Sequence, residues 1–393
     1  APNKQNTSSI HGAPLGNEEM KLFFDEIGWE SDPFDHSDDV YDYFAEKRLE
    51  DNKSFEKWKS NLDNKLNNDG SFKKLWEQFE KNELSFPESF EIQEAATRVT
   101  GGNYLKLIGL ENKFVLGGSA DLAASTKQII SEESYTSENR HGQNIEFGIR
   151  EHSMAAVVNG ISLHSNLFSF GSTFLVFSDY MRPSIRLASL MNLNSAYIFT
   201  HDSIYLGEDG PTHQPVEHLM SLRLIPGLDV IRPSNSVETI YAYKYLFSNT
   251  KNPKVLSLTR QNLKFLDYDV EYSDFLNGGF IISKGEDLTI FASGSEVNLA
   301  LEIKETLKEY SVQVVSVPIL NKLTPKISES LNNNKLTFTI ELGKAAGWSD
   351  YIGNITESFS VQTFGKSAPE NDLAEFFKVN ADSIGKKIRN YLG

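Results

Sequence analysis

Short apolar runs bounded by glycine and polar turns alternate with segments of helical spacing from Phe90 to Arg260, and the alternation resumes at Gly279. Strand-length runs separated by helix-length segments cannot pair as hairpins. They demand βαβ crossovers, and hence a mostly parallel sheet covered on both faces. The expected strands are 113–119, 144–148, 167–170, 195–200, 228–232 and 254–260, then 279–282, 287–292, 312–317, 336–340 and 360–364. Helices are expected over 90–99, 150–162, from Phe174 with Pro183 kinking or interrupting it, 215–223, 237–247 and up to Leu307. Residues 266–277 are polar and irregular and read as a linker between two α/β layers.

Before this texture begins, residues 1–87 form a different block. From Asp39 onward Val40, Tyr41, Phe44, Phe55, Trp58, Leu62, Leu66, Phe72, Leu75, Trp76 and Phe79 recur at helical spacings among charges. The block holds 19 acids and 11 bases, half of the net charge of −16. It reads as an acidic, amphipathic helical arm. Its opening carries His11-Gly-Ala-Pro-Leu-Gly16, a turn-rich loop presenting a histidine. The chain starts Ala1-Pro-Asn, without an initiator Met or signal peptide, and so resembles the interior of a longer protein.

The 393 residues call for more than one core. Their charge argues against nucleic acid as a partner, so any anionic ligand must be met by locally placed Arg, Lys or His. No cysteine is present, which excludes thiolate catalysis and Cys-ligated zinc and fits a cytoplasmic protein. No apolar run approaches the roughly 18 residues of a membrane helix, so no membrane partner is expected.

The most concentrated polar stretch is Thr200-His-Asp-Ser-Ile-Tyr-Leu-Gly-Glu-Asp-Gly-Pro-Thr-His-Gln-Pro215, with His201, Asp202, Glu208, Asp209 and His213. It follows a buried-strand run and precedes helical spacing, which puts it at the carboxyl end of a strand, where open α/β sheets bind ligands. Glu151 opens a helix, where an acid favours the dipole. Phe174, Phe177 and Tyr180 lie three apart, roughly on one helix face; beside a carboxylate, such a face can stack on a flat heteroaromatic ring. Arg98 and Arg260 edge otherwise apolar or neutral elements and are reasonable phosphate ligands, with Ser119 and Ser125 as hydroxyl donors. Gly117 and Gly118 permit close backbone approach, although neither a Rossmann nor a Walker pattern is present. No metal ligand set is expected within these residues: His201 and His213 are twelve apart and no carboxylate ladder occurs.

Taken together, the motifs resemble those of the transketolases, thiamine-diphosphate enzymes, over the C-terminal 60% or so of such a chain. The resemblance is carried by His11–Gly16, Ala96-Thr-Arg98, Gly117-Gly-Ser-Ala-Asp-Leu122, Gly148-Ile-Arg-Glu-His152, Thr173–Tyr180, Thr200–Pro215 and Thr259-Arg-Gln-Asn-Leu263. It implies an α/β pyrimidine-binding domain at 88–265, a smaller α/β C-terminal domain at 278–393, and at 1–87 the tail of a diphosphate-binding domain with a helical linker. Glu151 would hydrogen-bond N1′ of the cofactor's aminopyrimidine and promote its imino tautomer. Phe174, Phe177 and Tyr180 would enclose the ring, Phe177 stacking on it, with Asp121 nearby. His11 and His201 would touch cofactor and substrate and assist proton transfers. Arg98, Ser125, Arg260, His201 and His213 would grip the sugar phosphate, and Asp209 would read a hydroxyl.

The family's diphosphate and Mg²⁺ motif, Gly-Asp-Gly, does not occur here. Ketol transfer between sugar phosphates in the pentose phosphate pathway, in a homodimer or with a separate N-terminal part, is therefore expected only once that part is supplied. A related enzyme such as dihydroxyacetone synthase, or a non-catalytic dimerising fragment, are the alternatives, and the paired Arg98 and Arg260 favour phosphorylated sugars.

Overall fold

A computed structural model describes residues 1–92, 94–266, 268–332 and 334–393. It separates into two compact units, 1–76 and 77–393.

The first unit is helical. After a turn-rich start in which Asn3 donates to the Glu19 carboxylate at 2.8 Å, a helix spans Asn17–Ile27 and ends on left-handed Gly28. The helix Asp38–Asn68 begins with two acids in its first turn, which suits the dipole, and buries none of its 31 residues. The arm read from the sequence is thus a long helix whose apolar stripe, including Tyr41, Phe44 and Trp58, is exposed.

The second unit carries two five-stranded sheets. The first contains β1 (Val115–Ser119), β2 (Phe168–Phe174), β3 (Ala196–Thr200), β4 (Asp229–Ile231) and β5 (Lys254–Leu258), all parallel, in the order β1-β2-β3-β5-β4. Every residue of β2, β3 and β5 is buried, as expected of strands covered on both faces. Each large apolar side chain so buried stabilises the fold by about 1.5–3 kcal/mol before entropy is counted. The second sheet contains β6 (Phe280–Ser283), β7 (Leu288–Ala292), β8 (Val312–Ser316), β9 (Leu336–Glu341) and β10 (Glu357–Ser360) in the order β10-β9-β7-β8-β6. It is parallel except for β6, which runs antiparallel to β8 at the edge.

Several expectations change. Residues 90–92 and 94–96 are not helical; the helix is Thr97–Glu111. The backbone before it is tied instead to the loop after β5: Ala95 bridges Leu263, and the amides of Ala96 and Thr97 donate to Asn262 Oδ1 and Thr259 Oγ1. Gln93, in the expected helix, lies outside the described residues. Residues 144–148 are not a strand: Asn144 forms two isolated bridges, because successive backbone groups turn to Gly117 on one side and to Glu133–Tyr135 on the other. The last strand ends at Ser360, where 360–364 was expected to begin one, because the chain then leaves the sheet. Pro215 precedes the helix His218–Arg223 instead of opening it, and the helix Ser178–Leu190 continues through Pro183. Within the expected linker, Tyr272–Leu276 is helical and Phe275 is buried in the first core; Asp267 lies outside the described residues.

Candidate active site

Sheet register decides which residues meet. Ser119 pairs with Ser172, Phe174 with Thr200, and Thr200 with Leu258. The residues leaving β1, β2, β3 and β5 therefore emerge side by side at one carboxyl edge. They include Asp121, Phe174, His201 and Arg260, which lie far apart in sequence.

His201 leaves β3 with φ +61° and Asp121 leaves β1 with φ +60°, left-handed backbone that His and Asp tolerate better than most residues but at a cost of about 1–3 kcal/mol. His201 is 3% exposed. Its ring lies 3.8 Å, centroid to centroid, from Phe174. Nδ1 is 2.8 Å from Thr200 Oγ1, and Nε2 is 3.5 Å from Arg98 Nη1. A guanidinium can only donate, so Nε2 is the acceptor and Nδ1–H donates to the threonine hydroxyl. Burial, then the charges of Arg98 and Arg260, pull the imidazole down to about 3, so it is neutral at physiological pH.

Arg98, half-buried at the start of the helix Thr97–Glu111, donates to the carbonyl of Ser125 at 2.6 Å, and its Nε is buried without a partner. Burial and the neighbouring Arg260 lower its affinity for a proton, with Asp209 opposing them. The structure thus brings Arg98, Ser125, His201, Asp209 and Arg260 together. Two guanidiniums that repel each other across such a site are a ready receiver for an anion.

Phe174, Phe177 and Tyr180 do not share one helix face, contrary to the sequence expectation. Phe174 ends β2, Phe177 closes a 3₁₀ turn over Leu175–Phe177, and Tyr180 lies in the first turn of the following helix. The 3₁₀ turn has three residues per turn and so keeps the three-residue spacing in line. Phe174 and Phe177 stack at 5.8 Å and 10°, Phe177 and Tyr180 at 6.0 Å and 27°. His213 abuts Phe177 edge-on at 5.5 Å. The stack runs from buried Phe174 through half-buried Phe177 to Tyr180, 62% exposed. Glu151 is the first residue of the helix Glu151–His164 and is half-buried. An accessible aromatic face and an acid at a helix N-terminus are a donor set suited to an aminopyrimidine.

Other expected residues have different work. Ser119 spends its hydroxyl on Ser172 O at 3.0 Å. Gly117 and Gly118 make room for the chain itself: a Cβ there would meet Phe170 at 2.3 Å and Ile145 O at 2.1 Å. Asp202 is 2% exposed and pairs with Arg232 Nε at 2.9 Å instead of joining the open cluster. His11 is exposed in the first unit. Asp179, Glu217 and His218 place ligand-type atoms within 4.8 Å of one another, with His218 Nε2 3.2 Å from Asp179. Sequence reasoning missed Thr200, which accepts from His201 Nδ1–H and orients the ring, and Gln214 and Arg232, which bond to the loop. An arginine directly after the buried run Val230-Ile231 was a usable signal for Arg232.

Comparison with known proteins agrees with this geometry. Residues 93–265 match the transketolase pyrimidine-binding domain, 278–380 the transketolase-like C-terminal domain, and 1–84 the transketolase thiamine diphosphate binding domain. A transketolase of Bacillus subtilis is 37% identical over 99% of this chain, which spans 62% of that relative's length. The structure of transketolase from Leishmania mexicana superposes with a TM-score of 0.87 at 30% identity, covering 96% of this chain and 58% of that one. A solved chain described as a split gene transketolase, inactive beta4 tetramer, shares the fold at a TM-score of 0.62 and 23% identity, over 76% of this chain and 98% of its own. The sheet-edge cluster, the aromatic stack and these matches across the chain's length place it in the transketolase family.

Proposed function

We propose that this chain supplies the pyrimidine-binding and sugar-phosphate-binding side of a thiamine-diphosphate transketolase. It would move a two-carbon ketol unit from a ketose phosphate to an aldose phosphate in the pentose phosphate pathway, in the cytoplasm. The observation that carries the reading is the convergence of Arg98, Arg260 and His201 beside the open Phe174–Phe177–Tyr180 stack, in a chain of net charge −16.

Phe177 and Tyr180 offer ring faces to a pyrimidine, and Glu151 offers a carboxylate to its N1′. When bound, thiamine diphosphate supplies the carbanion chemistry. The protein's residues then orient the sugar and move protons. Neutral His201 can accept a hydrogen bond from a substrate hydroxyl at Nε2, with Thr200 fixing the ring through Nδ1. Arg98 and Arg260 bind the phosphate, Ser125 lies beside it, His213 closes the aromatic side, and Asp209 accepts from a sugar hydroxyl. In a complete assembly His11 would contact cofactor and substrate. Domain limits of 1–87, 88–265 and 278–393 belong to the same reading, with the first sheet's strands inside the second range and the second sheet's inside the third.

The diphosphate and Mg²⁺ ligands belong to a part whose Gly-Asp-Gly motif these 393 residues lack. The reading therefore includes that part as a partner, with or without a further copy of this chain in a homodimer; the solved split-gene chain named as inactive supports it. Ketol transfer with thiamine diphosphate and Mg²⁺, assayed with and without the diphosphate-binding polypeptide, tests the proposal. Turnover is expected in the combined assembly. Calorimetrically verified cofactor binding there without turnover of any sugar phosphate would refute it.

A further inference from the structure

We propose that the second sheet layer positions the loop 201–214 through two locks, one built on Asp202, Arg232 and Glu296, the other on Gln214 and residues 365–368. The proposal rests on the reading above that this loop takes sugar phosphates, and it assigns the C-terminal layer a role in the site it does not itself line.

The first lock holds the residue after His201. Asp202 Oδ2 accepts from Arg232 Nε at 2.9 Å; Arg232 Nη1 donates to Ser293 O at 3.0 Å and to Glu296 Oε1 at 2.7 Å. Glu296 also accepts from the Leu342 amide and from Ser295 Oγ. Asp202, Arg232 and Glu296 are each at most 2% exposed. A left-handed histidine does not hold itself in place, because that backbone conformation is unfavourable for a bulky residue. Its direction depends on where the next residue is anchored, and here that anchor is a buried charge pair reaching β7's far end.

The second lock holds the residue after His213. Gln214 is 4% exposed; its Nε2 donates to Ile204 O at 3.2 Å and Gly207 O at 3.0 Å, cinching the loop on itself. Its Oε1 accepts from the Lys366 amide at 2.8 Å, and Ser367 Oγ donates to Glu208 O at 2.8 Å. Gly365 passes so close that a Cβ would sit 2.0 Å from Gln214 Oε1. This accounts for the chain leaving the second sheet at Ser360.

The pattern of contacts distinguishes positioning from general packing. Among the described residues, the second layer's hydrogen bonds reach Tyr205, Glu208, Gln214 and, through Arg232, Asp202. None goes to His201, Asp209 or His213, so the second layer takes up no polar atom of these three. Each residue left free is the chain neighbour of one that is held: His201 of Asp202, Asp209 of Glu208, and His213 of Gln214.

The test uses the full 393-residue chain with isotopically labelled histidine, read by long-range ¹H–¹⁵N NMR and titrated with inorganic phosphate. Asp202→Asn keeps the shape but removes the charge, and Gln214→Met keeps the volume but removes three hydrogen bonds. Gln313→Met, at a buried glutamine of the same layer bonded to Leu331 O and Thr289 Oγ1, is the control for lost stability alone. Asp202→Asn is expected to shift the His201 nitrogens, Gln214→Met those of His213, and each to weaken phosphate binding about fivefold or more, about 1 kcal/mol. The control is expected to lower the melting temperature without moving either signal. Unchanged histidine signals and phosphate affinity in both lock variants would overturn the proposal; should Asp202→Asn not fold, Gln214→Met decides alone. If the parent chain shows no saturable phosphate response, the sugar-phosphate reading fails, and the histidine signals still decide the positioning.

Discussion

The two sheets of the 77–393 unit have nearly the same architecture and put their carboxyl edges to opposite uses. At the first edge, chains leave β1, β2, β3 and β5 carrying an exposed acid, an aromatic ladder, a neutral histidine and an exposed arginine. At the second edge, the space is filled by charge. Glu296, beyond β7, and Glu341, ending β9, are both 0% exposed and paired with Arg232 and Arg223 at 2.7 Å. Glu341 also accepts from the Trp348 indole at 2.8 Å, and Ser316, ending β8, donates to Glu238 at 2.7 Å. A strand's carboxyl end is therefore a place for a ligand only where the protein leaves it open. Where it is closed, the same polar chemistry becomes structural, and each buried carboxylate there needs its partner.

The comparison can be broken first at the open edge. In a complete, metal-competent assembly, Glu151→Gln should keep the fold and cut turnover by a factor of about 10² or more, since the acid opposite the pyrimidine loses its charge. Steady-state kinetics with donor and acceptor sugars checks this, and near-normal turnover would remove Glu151 from the mechanism.

At the closed edge, Arg223→Ala strands the Glu341 carboxylate and should destabilise the chain by about 3–5 kcal/mol, read as a shift of the denaturation midpoint. A loss below about 1 kcal/mol would mean that the second edge is not held by charge pairing.

Back at the open edge, Arg98→Ala and Arg260→Ala should each raise KM for phosphorylated sugars roughly tenfold or more, from the loss of a charge-assisted bond of about 1.5–3 kcal/mol. Unphosphorylated acceptors should suffer much less. An equal loss for both would make these arginines structural, like their counterparts at the closed edge.

A smaller effect follows from His201. Its folded-state value of about 3 lies below the ordinary 6.5 or so, so the unfolded chain binds this proton more readily. The contribution to stability is complete above about pH 6.5 and is lost as pH falls toward 3, by at most about 1.4 kcal/mol per pH unit. Replacing His201 by Asn should flatten that part of the stability–pH curve, and an NMR titration of parent His201 with a midpoint near 6 would contradict it. The smallest change is expected on the surface: Lys264 pairs with Glu302 at 2.7 Å but is 73% exposed, so Lys264→Ala should cost less than about 1 kcal/mol by denaturation.

Local chemistry made much of this legible beforehand. Largely apolar, β-branched or aromatic runs such as Ala196–Thr200 and Val312–Ser316 announce buried parallel strands, and Thr200–Pro215 announces a polar loop after one of them. Arg98, Arg260, His201 and Asp209 were nameable because residue type alone limits which side chains can meet a phosphate or a hydroxyl. The missed helix start at Thr97 and the false strand at 144–148 share a cause. Their backbone partners, Thr259–Leu263 in one case and Gly117 and Glu133–Tyr135 in the other, are not sequence neighbours, so periodicity carries no trace of them.

What the sequence determined by itself was the alternation that forces parallel sheets, the absence of thiol chemistry and of a Gly-Asp-Gly motif, and the inventory of polar residues. Only the tertiary structure decided their use. Asp202 and Asp209 are the same residue type on one loop, seven positions apart; one is buried against Arg232 and the other is left exposed. Sheet register placed Phe174, His201 and Arg260 at one edge. The fold of the second layer decided that the Asp202 carboxylate, beside His201, is paired inward with Arg232 rather than left open, because a charge in a dry interior must be paired where it stands.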